Sequence, residues 1–204
     1  MATGIDLPTD AGRVIDAIRG ANLDFVARYY RRPTSHWPSL SASEARLLSS
    51  AGLNVVVVWE AASTTADYFS RLSGVDDGTS AYRQAHIVGQ PPQSAIYFAV
   101  DYDATSGDVA GPITEYFQGI AAGFAAAGGP TPDYKVGVYG SGAVCAALLA
   151  AGLVQYAWLA MAGGWRGSRT FTAWNIKQGK ALPGLAFDHD SDEAGDDYGG
   201  FQVS

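Results

Sequence analysis

The stretch IYFAVDYDA, Ile96 to Ala104, alternates large apolar residues at Ile96, Phe98 and Val100 with Tyr97 and Ala99, and then presents two carboxylates, Asp101 and Asp103, two residues apart. Residues i and i+2 of a strand share a face, so both acids are expected to project the same way. Other apolar runs end alike: TGIDL finishes on Asp6, NVVVVWE on Glu60, and LAFDHD on Asp188 and Asp190. Carboxylates gathered at one place cannot all ionise easily, so at least one should take a raised pKa. A protonated acid beside an ionised one is what glycosidic cleavage requires: one group protonates the leaving oxygen, the other stabilises or attacks the cationic sugar carbon. The competing, purely structural role is capping of the helix that follows a strand, which is open to Asp6, Asp10 and Asp108.

Aromatic residues accompany the acids. Tyr29 and Tyr30 end FVARYY, Trp59 precedes Glu60, Tyr139 lies in KVGVYGS, and Trp158 lies in YAWLAMA with Trp165 beyond it. Sugar rings stack their C–H faces on such side chains, and core packing uses the same residue types. Tyr30, Tyr139 and Trp158 are therefore candidate substrate-binding residues, with Glu60, Asp188 and Gln178, the last residue of FTAWNIKQ. Arg28 sits inside an apolar run, where a buried guanidinium needs a carboxylate partner; Asp6 or Glu60 is expected to supply it, giving Arg28 a structural and electrostatic role. Asp6, Asp101, Asp188, His189 and Asp190 are also hard-cation ligand types, so metal-assisted hydrolysis is an alternative to acid catalysis. The primary reading needs no metal and no cofactor.

The elements that must position these groups are β-rich runs at 3–7, 25–30, 54–60, 95–103, 135–141, 156–162, 171–178 and 185–190. Helical segments separate the early ones. Asp10 precedes a segment that buries Val14, Ile15 and Ile18 and ends at Asn22, and Ser41 and Ser43 precede EARLLSSAG, which stops at Gly52. Segments 61–72 and 80–88 fill the third connection, 109–127 the fourth and 143–151 the fifth. Such alternation means right-handed βαβ units and a parallel sheet. Eight strands suggest closure, but a complete (β/α)8 barrel typically takes about 250 residues. The shortfall lies in GGWRGSR and GKALPG, which show no helical periodicity. The expected fold is α/β, a TIM-like (β/α) barrel of five βα units followed by three strands with little helix, in a single domain over 1–204; a doubly wound open sheet is the alternative. In the barrel, Ile96, Phe98 and Val100 face the helices, while Tyr97, Ala99, Asp101 and Asp103 face the axis at the end where such barrels build active sites.

Composition narrows the partners. At 204 residues, 48% hydrophobic and 16% charged, the chain can bury a substantial core. A net charge of −7 argues against non-specific nucleic-acid binding and leaves no polybasic patch for a membrane. Cys145 stands alone and reads as a small buried helix residue, with no Cys/His spacing for zinc. The apolar runs 55–59 and 124–127 fall far short of the about 20 residues of a membrane span, and no signal-peptide pattern precedes the first strand. A monomer is expected.

GIDLP, FVARYY, IYFAVDYD, VGVYGS, WLA at 158–160 and FDHD together resemble, over essentially the whole chain, the glycoside-hydrolase-like domain known as domain of unknown function 1906, and more distantly the family 25 lysozymes. The first occurs in actinobacterial secreted proteins and in phage-related proteins; the second are muramidases with a five-helix barrel carrying three bare strands. The resemblance implies action on bacterial cell-wall glycan, outside the cell or at the wall. It places Asp103 at the general-acid position, with Asp101 assisting and Asp6 and Asp188 shaping the pocket. The lysozymes have Glu where this chain has Asp103, one methylene shorter. A binding module that keeps the groove without competent acid geometry is the second reading that the resemblance carries.

Overall fold

The computed structural model describes residues 1–204. Eight strands close into a barrel in sequence order: β1 (Ala2–Asp6), β2 (Phe25–Tyr30), β3 (Asn54–Trp59), β4 (Ala95–Ala99), β5 (Lys135–Gly140), β6 (Tyr156–Leu159), β7 (Ile176–Gly179) and β8 (Asp190–Ala194). The first five connections carry α1 (Ile15–Gly20), α2 (Ala42–Ser50), α3 (Arg71–Val88), α4 (Ser106–Asp108) running through a π-helical turn into α5 (Thr114–Gly128), and α6 (Gly142–Ala150). No helix lies between β6 and β8. The expected barrel of five βα units and three nearly bare strands is observed, and closure excludes the open sheet.

Side chains at the helix starts account for several boundaries. The Ser41 and Ser141 hydroxyls accept from the Glu44 and Val144 N–H groups, and Ser70 and Ser73 satisfy each other's backbone reciprocally. The third connection differs from its expected division: a loop with a 3-10 turn at Ala66–Tyr68 leads into the single helix α3, which runs through Gly74 and Gly78. Those glycines serve packing. Gly74 faces Gly119 of α5, and a Cβ on Gly74 would strike the Tyr116 carbonyl, while one on Gly78 would lie 2.8 Å from the Ile120 carbonyl oxygen. The two backbones approach more closely than side chains permit.

Strand eight is also corrected. It is DSDEA rather than LAFDHD, and it runs antiparallel to both β1 and β7. A parallel return needs a crossover of a dozen or more residues, usually helical, and the helix-free loop from β7 does not provide one.

Each strand divides its side chains between two cores by alternation. Val26, Tyr30, Val57, Ile96, Phe98 and Val138 pack against the helices, while Phe25, Ala27, Val58, Tyr97, Ala99 and Trp158 fill the barrel. This parity overturns two expectations. Tyr30 faces the helical layer, fully buried, and its hydroxyl donates to Gln90 Oε1 at 2.9 Å, so it is a core residue and not a sugar platform. Arg28, on the same face, pairs with Glu44 of α2 at 2.6 Å and donates from Nη1 to the Leu7 carbonyl at 2.8 Å; neither Asp6 nor Glu60 is its partner. Beneath the barrel, the Tyr97 hydroxyl donates to the Tyr198 carbonyl at 2.9 Å and Phe201 bridges to Val55, closing the N-terminal ends of the parallel strands. The other end is open. No helix is long and apolar enough to cross a membrane.

Candidate active site

The open mouth holds a cavity of about 390 Å³ lined by strand-end residues from all around the barrel, among them Asp6, Tyr29, Glu60, Asp101, Tyr139, Trp158, Trp165, Gln178 and Asp190. Alternation explains who enters. Tyr29 points to the axis because Arg28 and Tyr30 point away, and Asp101 continues the inward series of Tyr97 and Ala99. Because β8 runs antiparallel, its first residue, Asp190, stands at the mouth opposite Asp6, and Asp192 stands one layer deeper opposite Gly4.

Gln178 organises the floor. Its Nε2 donates to Asp6 Oδ2 at 2.9 Å and to Asp190 Oδ2 at 3.3 Å, while its Oε1 accepts from the Tyr139 hydroxyl at 2.9 Å and from the Met161 N–H at 3.2 Å. The Tyr29 hydroxyl donates to Asp6 Oδ1 at 2.9 Å. Arg31 lies with its guanidinium 4.2 Å from the centre of the Tyr29 ring and pairs with Glu60 at 3.3 Å. Trp158 donates from Nε1 to Asp192 Oδ1 at 2.9 Å, and its ring meets that of Tyr139 edge-on at 5.4 Å.

Burial raises the acids, as their gathering requires. Asp6 is pushed up to about 6 by desolvation, with the Asp190 charge adding to the rise and the donors Gln178 and Tyr29 opposing it. Desolvation also raises Glu60, against the pull of Arg31, and raises Asp101 and Asp190. Asp192 is 4% exposed and is raised furthest, by desolvation and then by the Asp6 charge. Its Oδ2 is buried without a hydrogen-bond partner, and both that burial and the nearby Asp6 charge favour its neutral form. Among the carboxylates that line the cavity, only Asp101 receives no hydrogen bond from the protein; its backbone N–H donates to the Ser63 carbonyl at 2.9 Å, which fixes the strand end beneath it.

Asp103, expected beside Asp101, does not line the cavity. The strand ends at Ala99; the Val100 N–H still donates to the Tyr139 carbonyl at 2.8 Å and carries Asp101 inward, but nothing continues the alternation to Asp103. Asp103 instead clamps the β6–β7 loop: the Arg166 N–H donates to its Oδ1 at 2.8 Å, and Arg166 Nη1 donates to its Oδ2 at 2.7 Å and its carbonyl at 2.9 Å. That clamp holds the neighbouring Trp165 at the cavity wall. Asp188 is exposed and outside the cavity, displaced by the register of β8. His189 is buried, with Nε2 accepting from the Leu182 N–H and Nδ1 donating to the Phe187 carbonyl, so both ring nitrogens are occupied. Of the set proposed for metal chemistry, Asp6, Asp101 and Asp190 line the cavity while Asp188 and His189 do not, and no group of three or more His, Cys, Asp or Glu side chains is arranged to hold a metal ion. Cys145 is buried beneath the helices.

Sequence reasoning overlooked Asp192, Arg31 and the clamping Arg166. The signal for Asp192 was available, because DSD repeats the i, i+2 pattern of Asp101 and Asp103, but with little apolar content around it the segment does not read as a strand.

Comparison with known proteins agrees with this architecture. The YbfG protein of Bacillus subtilis is 34% identical over 128 residues, 61% of this chain, and the chain spans under a quarter of the length of the curated relatives it matches. Rv2525c of Mycobacterium tuberculosis, a Tat-secreted protein solved in complex with HEPES, superimposes with a TM-score of 0.73 at 20% identity, covering 98% of each chain. The modular autolysin LytC of Streptococcus pneumoniae, solved with a synthetic peptidoglycan ligand, gives a TM-score of 0.57 at 14% identity, covering 94% of this chain and 46% of that one. At these identities the structural likeness is one of fold. A family model matches residues 16–203, nearly the full barrel, and the chain accordingly belongs to the Rv2525c-like, glycoside hydrolase-like domain family.

Proposed function

We propose that the chain binds bacterial cell-wall glycan at the barrel mouth and cleaves it by acid catalysis, with Asp101 as proton donor and Asp6 as the ionised partner. The observation that carries this reading is Asp101 itself, a partly buried carboxyl on the cavity wall, raised by desolvation and engaged by no protein donor. A general acid must be free to approach the leaving oxygen. Asp6 is pushed up to about 6 by burial, and its two donors, Tyr29 and Gln178, favour the charged form that it takes above that pH. Tyr139 and Trp165 offer ring faces and edges to a sugar, Trp158, expected to join them, is 1% exposed and forms the floor beneath Tyr139, and Glu60 and Gln178 offer polar contacts. The peptidoglycan ligand of LytC and the secretion of Rv2525c support a wall substrate and an extracellular site of action. The protein is taken to act as a monomeric barrel domain without a cofactor.

The test is release of reducing ends from purified cell walls by wild type and by Asp101→Asn. Release by wild type that collapses in the variant supports the assignment. Equal release by both refutes it. A second reading, a glycan-binding module without turnover, is favoured by the Asp103–Arg166 clamp, which occupies the residue at the lysozyme-like acid position. Wall binding by wild type with no release at any pH would establish that reading instead.

A further inference from the structure

A second concavity of about 430 Å³ adjoins the acidic cavity, and Glu60 lines both. Its chemistry is opposite. Arg31, Arg32, His36, Trp37 and Tyr68 line it, so a cationic and aromatic groove begins where the ring of carboxylates ends. Trp37 is half exposed, an unusual position for a large apolar ring.

The two arginines are held in place with donors to spare. The Gln84 amide grips the Arg31 backbone from both sides, with the Arg31 N–H donating to its Oε1 at 3.2 Å and its Nε2 donating to the Arg31 carbonyl at 2.6 Å. Arg31 uses Nη2 on Glu60, while its buried Nε has no partner. Arg32 is anchored through Nη2 alone, to the buried Asp77 at 2.6 Å, and Asp77 is further held by the Tyr68 and Tyr116 hydroxyls. The Arg32 side chain is 46% exposed, so the rest of its guanidinium fork is open to the groove. A planar fork of this kind recognises carboxylates in a paired geometry.

We propose that this groove is a subsite for a carboxylate-bearing substituent of the glycan, gripped by Arg31 and Arg32 with Trp37 as its apolar wall. The proposal rests on the reading that the acidic cavity takes a sugar, and it names the substrate as an anionic glycan rather than a neutral one. The ionised carboxylates among the four acids of the cavity repel a negatively charged group, so the anionic arm of a substrate must leave the acidic cavity, and Glu60 marks the boundary it crosses. A ligand carboxylate on Arg31 would compete with Glu60 for the guanidinium and so bring charge recognition into contact with the catalytic cavity.

The experiment is calorimetric titration of the full chain with a purified disaccharide-peptide fragment of cell wall, with the same fragment after amidation of its carboxyls, and with a neutral N-acetylglucosamine oligomer. Wild type should bind the free-acid fragment about tenfold or more tightly than the amidated one, and the ratio should shrink with added salt. Arg32→Gln should bring the ratio close to one, Arg32→Lys should retain part of it, and Trp37→Ala should weaken both fragments alike. Free-acid and amidated fragments bound by wild type within twofold of each other would overturn the inference while leaving the glycan reading standing, as would an undiminished ratio in Arg32→Gln. Absence of binding to all three ligands would overturn the glycan reading itself, and this subsite with it.

Discussion

Asp101→Asn and Asp103→Asn each replace a carboxyl by an amide at positions two residues apart, and the surroundings of the two side chains call for very different outcomes. Asp101 lines the cavity with no protein donor, so its replacement removes only what it gives to the substrate. A positioned general acid typically contributes about 10² to 10⁴ in rate, and that is the loss expected for Asp101→Asn. Asp103 pairs with Arg166 between side chains that are 36% and 51% exposed. Ion pairs this open contribute about 0–1 kcal/mol, and an Asn carbonyl can still accept from the Arg166 N–H. A loss of about 1 kcal/mol in loop placement corresponds to about fivefold in rate at most. The two variants should therefore differ by about 20-fold or more in initial release of reducing ends from purified cell walls. Co-sedimentation with the walls would show that each variant still folds and binds. If Asp103→Asn falls as far as Asp101→Asn while binding walls normally, the proton donor is Asp103, and the clamp seen here must open during turnover.

Other expectations follow from the same contacts. Asp6 has a folded pKa near 6 against 3.8 for the free side chain, so the folded state holds the proton more tightly; stability linked to Asp6 is fully present below about pH 4 and is lost as pH rises through about 6. Wild type should thus lose up to about 3 kcal/mol relative to Asp6→Asn across that window in denaturant titrations, and a flat difference would contradict the assignment. Removing Arg28 as Arg28→Ala should cost about 3–5 kcal/mol by stranding the buried Glu44, whereas the double substitution Arg28→Met with Glu44→Gln should recover much of it. Gly119→Ala should destabilise by about 1–3 kcal/mol or more by forcing α3 and α5 apart, read as a lower Tm. Gly20→Ala, where nothing lies within 4 Å of the new methyl, should leave Tm unchanged or raise it.

Much of the barrel was legible in the chain because its signals are local. Alternation of period two in 95–100, the capping serines before α2, and the missing helical periodicity after β6 all depend on near neighbours, and they specify five βα units and three bare strands. The same local parity marks Asp6, Glu60 and Asp101 as strand-end acids, and the structure brings these three into one cavity. Where local parity carries no sign, the reading fails. FVARYY alternates as well with Arg28 inside the barrel as outside it, and only the packing of α2, which brings Glu44 to 2.6 Å, decides that Arg28 and Tyr30 belong to the outer layer and Tyr29 to the mouth. Polar DSDEA becomes a strand only because β1 and β7 leave one open gap, and its antiparallel direction then exchanges Asp188 for Asp190 at the mouth and buries Asp192 below it. Asp103 is the clearest case. Its spacing from Asp101 promises a shared face, but the ladder ends at Ala99, and an arginine 63 residues away turns the second acid into the fastening of a loop. Residue types and strand ends are properties of the chain; which carboxylate remains free to act depends on partners that only long-range closure of the barrel brings within reach.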